Sequence, residues 1–299
     1  MRRLALAAVL AALGAAEAFA AETASFLRIL PGARPMALGE AYTAVADDLN
    51  ALTTNPSGLS RVGVRQAGFM HADLYGGARY DFMGYAQPFG DAAFGVGLQR
   101  LAVGGLETRD AFGAQTGSFA AADTALSLAF SGRLPESSLR AGAAVKVIDS
   151  RLADAAARTV AVDLGLQHPL EAAGLPLMLG ASVRNLGPGL RLGSLREDLP
   201  LTVSVGGAVR VAGALLVSAD VYDRPHGREA GLNVGTEYSV LPAFALRAGY
   251  GSSAAAAGSP MSGLGFGFGL RVLRATIDYG FTPGGALGAE QRLGFSTRF

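Results

Sequence analysis

The chain holds three imidazoles, His71, His168 and His226, and none stands four residues from another. Four is the spacing that sets two zinc ligands on one helix face. No Gly-x-Ser-x-Gly elbow and no phosphate-binding loop occurs. Gly263, Gly265, Gly267 and Gly269 recur at strict intervals of two, without the offset of a dinucleotide-binding turn. That spacing puts them on one face of a strand, where another segment can press close. Cysteine is absent, so disulfides and thiolate metal sites are excluded. The expectation is therefore a chain that is not an enzyme and carries no cofactor and no metal.

Charged residues offer more. Lys146, Asp163, Arg184, Arg210, Asp220, Glu237, Arg247, Arg271, Asp278, Arg292 and Arg298 all fall on the polar face of segments that alternate polar and apolar. One chemistry for such a set is a selectivity lining or a clamp for a substrate carboxylate, since a guanidinium forks onto carboxylates. The other is a ladder of ion pairs bracing one part of the fold to another. Interspersed signs favour the brace.

The elements that carry these charges are strands. Leu293, Phe295, Thr297 and Phe299 alternate with Arg292, Gly294, Ser296 and Arg298. Phe266, Phe268, Leu270 and Val272 alternate with Gly265, Gly267, Gly269 and Arg271 in the same way. A helix would scatter these residues around its circumference; a strand sorts them into an oily face and a polar one. Fourteen such segments are expected, near 62–71, 79–89, 92–103, 118–132, 139–149, 158–169, 176–185, 200–211, 214–222, 230–240, 243–251, 261–272, 274–282 and 289–299. Connections between them alternate, mostly, between tight turns and longer loops.

Alternation alone fits a soluble sandwich or a membrane barrel. Three features choose the barrel. Arg2 and Arg3, the apolar run 4–13 and Ala18-Phe19-Ala20 form a cleavable signal peptide over 1–20. Alternating short and long connections suit a barrel with tight periplasmic turns and longer external loops. The chain ends in Phe299 after an alternating strand, which resembles the terminal signature read by the outer-membrane assembly machinery. The expected fold is all-β, a transmembrane antiparallel barrel spanning 62–299 and bathed in outer-membrane lipid. A formal charge of +1 leaves no basic excess for nucleic acid.

Residues 21–61 differ. An Ala-rich stretch from Met36 to Leu49 favours helix, and Asn55-Pro56-Ser57-Gly58 supplies turn chemistry. The segment is too short for its own core, so it is expected to lodge in the lumen as a short helical plug.

Phe26 to Val62 resembles the N-terminal signature of the PorV/PorQ family, within the wider group of FadL-like outer-membrane proteins. The likeness is carried by Gly32-Ala33-Arg34, Leu38-Gly39, Ala41, Ala44-Val45-Ala46-Asp47-Asp48, Ala51, Asn55-Pro56 and Gly58-Leu59. Ser57 departs from it, where the family usually has Ala. The resemblance implies a fourteen-stranded barrel with an N-terminal hatch and a part in type IX-like secretion or outer-membrane assembly, with secreted cargo as partner. Its FadL-like alternative is passive transport of hydrophobic small molecules such as long-chain fatty acids. The compact external loops weigh against the cargo-shuttle role.

Overall fold

The computed structural model describes residues 23–299 apart from 173, 193–194, 254–259 and 285–287. The expected signal peptide lies outside the described residues, as does part of the loops at 252–260 and 283–288.

Fourteen antiparallel strands close into a barrel. In chain order the strands are β1 (Gln66–Asp73), β2 (Ala78–Phe89), β3 (Ala92–Arg109), β4 (Gln115–Arg133), β5 (Arg140–Leu152), β6 (Ala155–Ala172) and β7 (Leu175–Leu186). A small separate hairpin follows, β8 (Leu190–Leu192) and β9 (Leu195–Glu197). The wall resumes with β10 (Thr202–Val211), β11 (Leu215–Arg224), β12 (Glu229–Leu241), β13 (Phe244–Gly251), β14 (Leu264–Val272), β15 (Ala275–Thr282) and β16 (Glu290–Arg298). β16 pairs with β1, Gln66 opposite Arg298 and Asp73 opposite Gln291, so no edge is left open. Closure lets each wall strand bond to a neighbour on both sides around the ring, which strands in lipid require.

Each expected segment has a counterpart among the fourteen wall strands, with shifted ends. β1 starts at Gln66 rather than 62, because Pro56–Arg61 winds into a 3-10 helix and Val62 is buried with the N-terminal segment. The expected loop at 104–117 is mostly strand: past Val103 and Ala121, β3 and β4 pair only with each other. They form a ribbon beyond the rim, and Phe112 stands exposed at its tip. The expected loop at 150–157 shrinks to the turn 153–154 for the same reason.

The faces are sorted as a membrane barrel requires. Leu128, Val145, Val205, Leu232, Phe268 and Leu293 are exposed, while Lys146, Asp163, Ser204, Asp220 and Arg292 are buried. A soluble sandwich would show the reverse. Around the tight-turn end, Phe89 lies 5.9 Å from Phe130 and 6.4 Å from Phe94, and Tyr85 lies 6.4 Å from Phe299. Such outward rings mark the level of a membrane interface.

Candidate functional site

Residues 23–62 run inside the barrel, where most of the large buried apolar side chains collect. Phe26, Leu38, Tyr42, Leu52 and Leu59 are each at most 1% exposed. The helix expected from Met36 to Leu49 is not formed. A five-residue helix, Ala33–Ala37, stops where Gly39 and Glu40 both take positive φ, at 59° and 68°. Left-handed backbone cannot continue a right-handed helix. The break turns the chain against β13: a Cβ on Gly39 would lie 2.5 Å from the Tyr250 carbonyl carbon. A second short helix, Ala51–Thr54, and the 3-10 turn Pro56–Arg61 complete the segment.

The wall admits this segment by omitting side chains. A Cβ on Gly142 would sit 2.5 Å from the backbone of Pro56 and Ser57, and one on Gly180 would sit 2.5 Å from the Thr43 carbonyl oxygen. Gly235, Gly249 and Gly265 meet the backbone of Leu38, Gly39 and Met36 likewise. Of the glycines expected to face a plug, Gly265 and Gly267 do, against Met36 and Ala37, whereas Gly269 leaves room for the Arg247 guanidinium.

Gly58 has no positive φ, contrary to the turn chemistry expected of it. It is required for closeness: an added Cβ would strike the Ala46 carbonyl, 2.8 Å from its carbon. Asn55 organises the turn through its side chain. Its Oδ1 accepts from Ser57 N–H at 3.3 Å and Ser57 Oγ at 2.7 Å, and its Nδ2 donates to Thr43 O at 2.8 Å and Leu166 O at 3.1 Å. Ser57, the departure from the family pattern, therefore adds a bond that Ala could not make. Ala41 is fully buried.

Charge ties plug to wall. Arg34 donates to Glu237 through Nε at 2.7 Å and Nη2 at 3.1 Å, and through Nη1 to Asp47 at 2.6 Å, Asp48 at 3.1 Å and Tyr42 Oη at 2.9 Å. Tyr42 in turn donates to Asp48 at 2.7 Å. Arg247 joins Glu237 at 2.8 Å to Asp278 at 2.6 Å. Burial alone would raise the Asp47 carboxyl, yet Arg34 and Arg61 outweigh it and hold it below its ordinary value. Burial, reinforced by the Asp48 and Asp47 charges, pushes the Tyr42 phenol well up, so it stays a donor.

Elsewhere, Asp220 accepts the backbone N–H groups of Tyr42 and Thr43, each at 2.8 Å. Lys146 pairs with Asp163 at 2.6 Å and donates to Asn185 at 2.8 Å. Arg184 reaches Thr53 O at 3.4 Å, and Arg292 binds Glu290 at 2.7 Å and the Leu30 carbonyl. Gln167, absent from the sequence-based set, donates to Thr43, Ala44 and Ala46 carbonyls at 3.0–3.2 Å. Its alternation with Leu166 was a usable signal; its neutrality kept it out of a search for charge.

Eight of the eleven expected lumen charges thus brace wall or plug. Arg210, Arg271 and Arg298 do not: among the described residues their side chains have no hydrogen bond or ion pair. They line a polar cavity of about 470 Å³ at the tight-turn end, together with Arg34, Asp47, Glu237 and Asp278. The histidines stay apart, His71 against Asp81 at 2.7 Å and His226 against Leu199 O at 2.8 Å.

A closed barrel with an apolar outside, a charged inside and its own N-terminal segment in the lumen is a plugged transmembrane β-barrel of the outer-membrane type. Among solved structures it is similar to the CymD monoaromatic hydrocarbon channel, at 12% identity over 93% of this chain and 99% of that one, TM-score 0.64. It is similar also to the P. putida toluene transporter TodX, at 14% identity over 90% and 98%, TM-score 0.61. A third is a Pseudomonas aeruginosa FadL homologue, at 12% identity over 89% and 97%, TM-score 0.56. No family model and no curated protein matches the sequence. The structural neighbours are FadL-like outer-membrane channels; the narrower PorV/PorQ resemblance rests on residues 26–62 alone.

Proposed function

We propose that the protein is a passive outer-membrane channel for small hydrophobic compounds. The observation that carries this is the likeness of fold over nearly the whole length of both chains, shared with barrels described as hydrocarbon channels and a toluene transporter. The filled lumen agrees. A diffusion pore keeps an open aqueous bore, whereas this lumen is occupied by a segment docked through apolar side chains, carbonyl contacts and ion pairs.

The secretion reading draws on the N-terminal motif. Arg34, Gly39, Asp47, Asp48, Asn55 and Gly58 are each accounted for by docking within the barrel, so none of them calls for a cargo protein. Uptake decides between the readings. Cells carrying the barrel in their outer membrane should take up radiolabelled toluene or a long-chain fatty acid faster than cells without it. Equal rates for both probes, with a secreted protein co-purifying with the barrel, would reverse the order of the two readings.

A further inference from the structure

The cavity at the tight-turn end is built of a different chemistry from a hydrocarbon path. Arg210 and Arg271 stand one residue before the ends of β10 and β14, Arg298 ends β16, and all three line it. Four carboxylates line the same cavity or its floor, and each is already engaged. Asp47 and Asp48 are held by Arg34, Glu237 by Arg34 and Arg247, and Asp278 by Arg247. With Arg61, which also pairs with Asp47, the cavity has six guanidinium groups against four carboxylates, a surplus of two positive charges, and the trio are the guanidiniums among them that pair with none of these carboxylates. Guanidinium groups stay charged across the physiological pH range, so three of them lining one partly open cavity give it a positive field that favours an anion. Thr276 lies opposite both Arg271 and Ser296 in register, so two hydroxyl groups line the cavity on the Arg271 and Arg298 side.

We propose that this cavity is a binding site for a small oxyanion, a carboxylate or a phosphate. Its volume of about 470 Å³ falls in the range of small-molecule sites. Planar guanidinium forks match the paired oxygens of both groups, and the charge-assisted bonds they make are the stronger kind. Toluene has no charged oxygen for these forks to hold, so beside a hydrocarbon substrate the site takes a second ligand; a fatty acid would meet it only through its carboxylate.

Calorimetric titration of the full chain, folded in detergent micelles, tests it, with citrate and inorganic phosphate as separate probes against chloride at matched ionic strength. Saturable binding of at least one probe is expected, weakened about tenfold in the triple variant R210Q/R271Q/R298Q. A triple Arg→Lys variant, which keeps charge and loses the fork, should fall between. Binding of citrate alone identifies carboxylate as the source, and binding of phosphate alone identifies phosphate. Heat-modifiable migration on gels checks that each variant is folded; should the triple variant fail that check, R271Q alone decides. Absence of saturation with both probes, or an unchanged affinity in the folded variant, overturns the proposal. Toluene uptake is measured separately, so a failed titration leaves the channel reading where it stands.

Discussion

Arg34 of the plug grips Glu237 of β12 with two parallel hydrogen bonds, Nε to Oε2 at 2.7 Å and Nη2 to Oε1 at 3.1 Å, across 203 positions of sequence. The pair is well buried, with side-chain exposures of 11% and 8%. Removing one partner of a buried pair strands the other. Arg34→Met should therefore weaken plug docking by on the order of 3 kcal/mol, and Arg34→Lys, which keeps charge without the fork, by less. Limited proteolysis of residues 23–62 in folded barrels measures this. Equal protection in R34M and the parent would place the docking energy elsewhere.

Overpacking should act on the plug without opening the wall. At Gly58 any Cβ meets the Ala46 carbonyl, so Gly58→Val should cost about 1–3 kcal/mol of docking while the barrel keeps its heat-modifiable band. A variant that loses the band along with plug protection would show that plug and barrel fold as one cooperative unit.

The lipid face should be graded by depth. Phe268 pairs with Tyr279 in mid-strand, while Ile277 is two residues from the start of β15 at the tight-turn end. Arginine at the bilayer midplane costs ~2–4 kcal/mol, falling to ~0–1 near an interface. Phe268→Arg should therefore impair assembly more than Ile277→Arg, read from the folded fraction in denaturant titrations in lipid vesicles. The reverse order would mean that the membrane sits at a different height on the wall.

Acid should release the plug. Because Arg34 and Arg61 depress the Asp47 carboxyl against the pull of burial, its stabilisation is complete above the undocked value of ~3.9 and is lost as pH falls through the docked one. Hydrogen-exchange protection at Ala46 N–H, which donates to Tyr42 O at 2.9 Å, should hold steady from neutrality to about pH 5 and then decline. D47N should show a smaller decline. A loss that instead begins on raising the pH would contradict the assigned sign.

If the plug closes the bore, deleting residues 26–54 should raise single-channel conductance in planar bilayers while the barrel remains assembled. Unchanged conductance in an assembled barrel would mean that the wall, rather than the plug, limits the bore.

The sequence by itself determined the strands and their faces. Alternation such as Leu293, Phe295 and Phe299 against Arg292, Gly294 and Arg298 is a local pattern, complete within a few residues, because a strand turns its side chains with period two wherever it sits. That period located every wall strand and put all eleven lumen charges on the inner face. It could not say which charges are spent. Arg210, Arg247 and Arg271 read alike in one dimension; only the fold brings Arg247 between Glu237 and Asp278 and leaves Arg210 and Arg271 facing a cavity. The plug's path was equally illegible. Met36 to Leu49 has helix-favouring residues, but the helix gives way at Gly39 and Glu40 where the chain must turn against β13. Pairing and path depend on contacts between residues as much as 200 positions apart, as with Arg34 and Glu237, and no local periodicity carries that information.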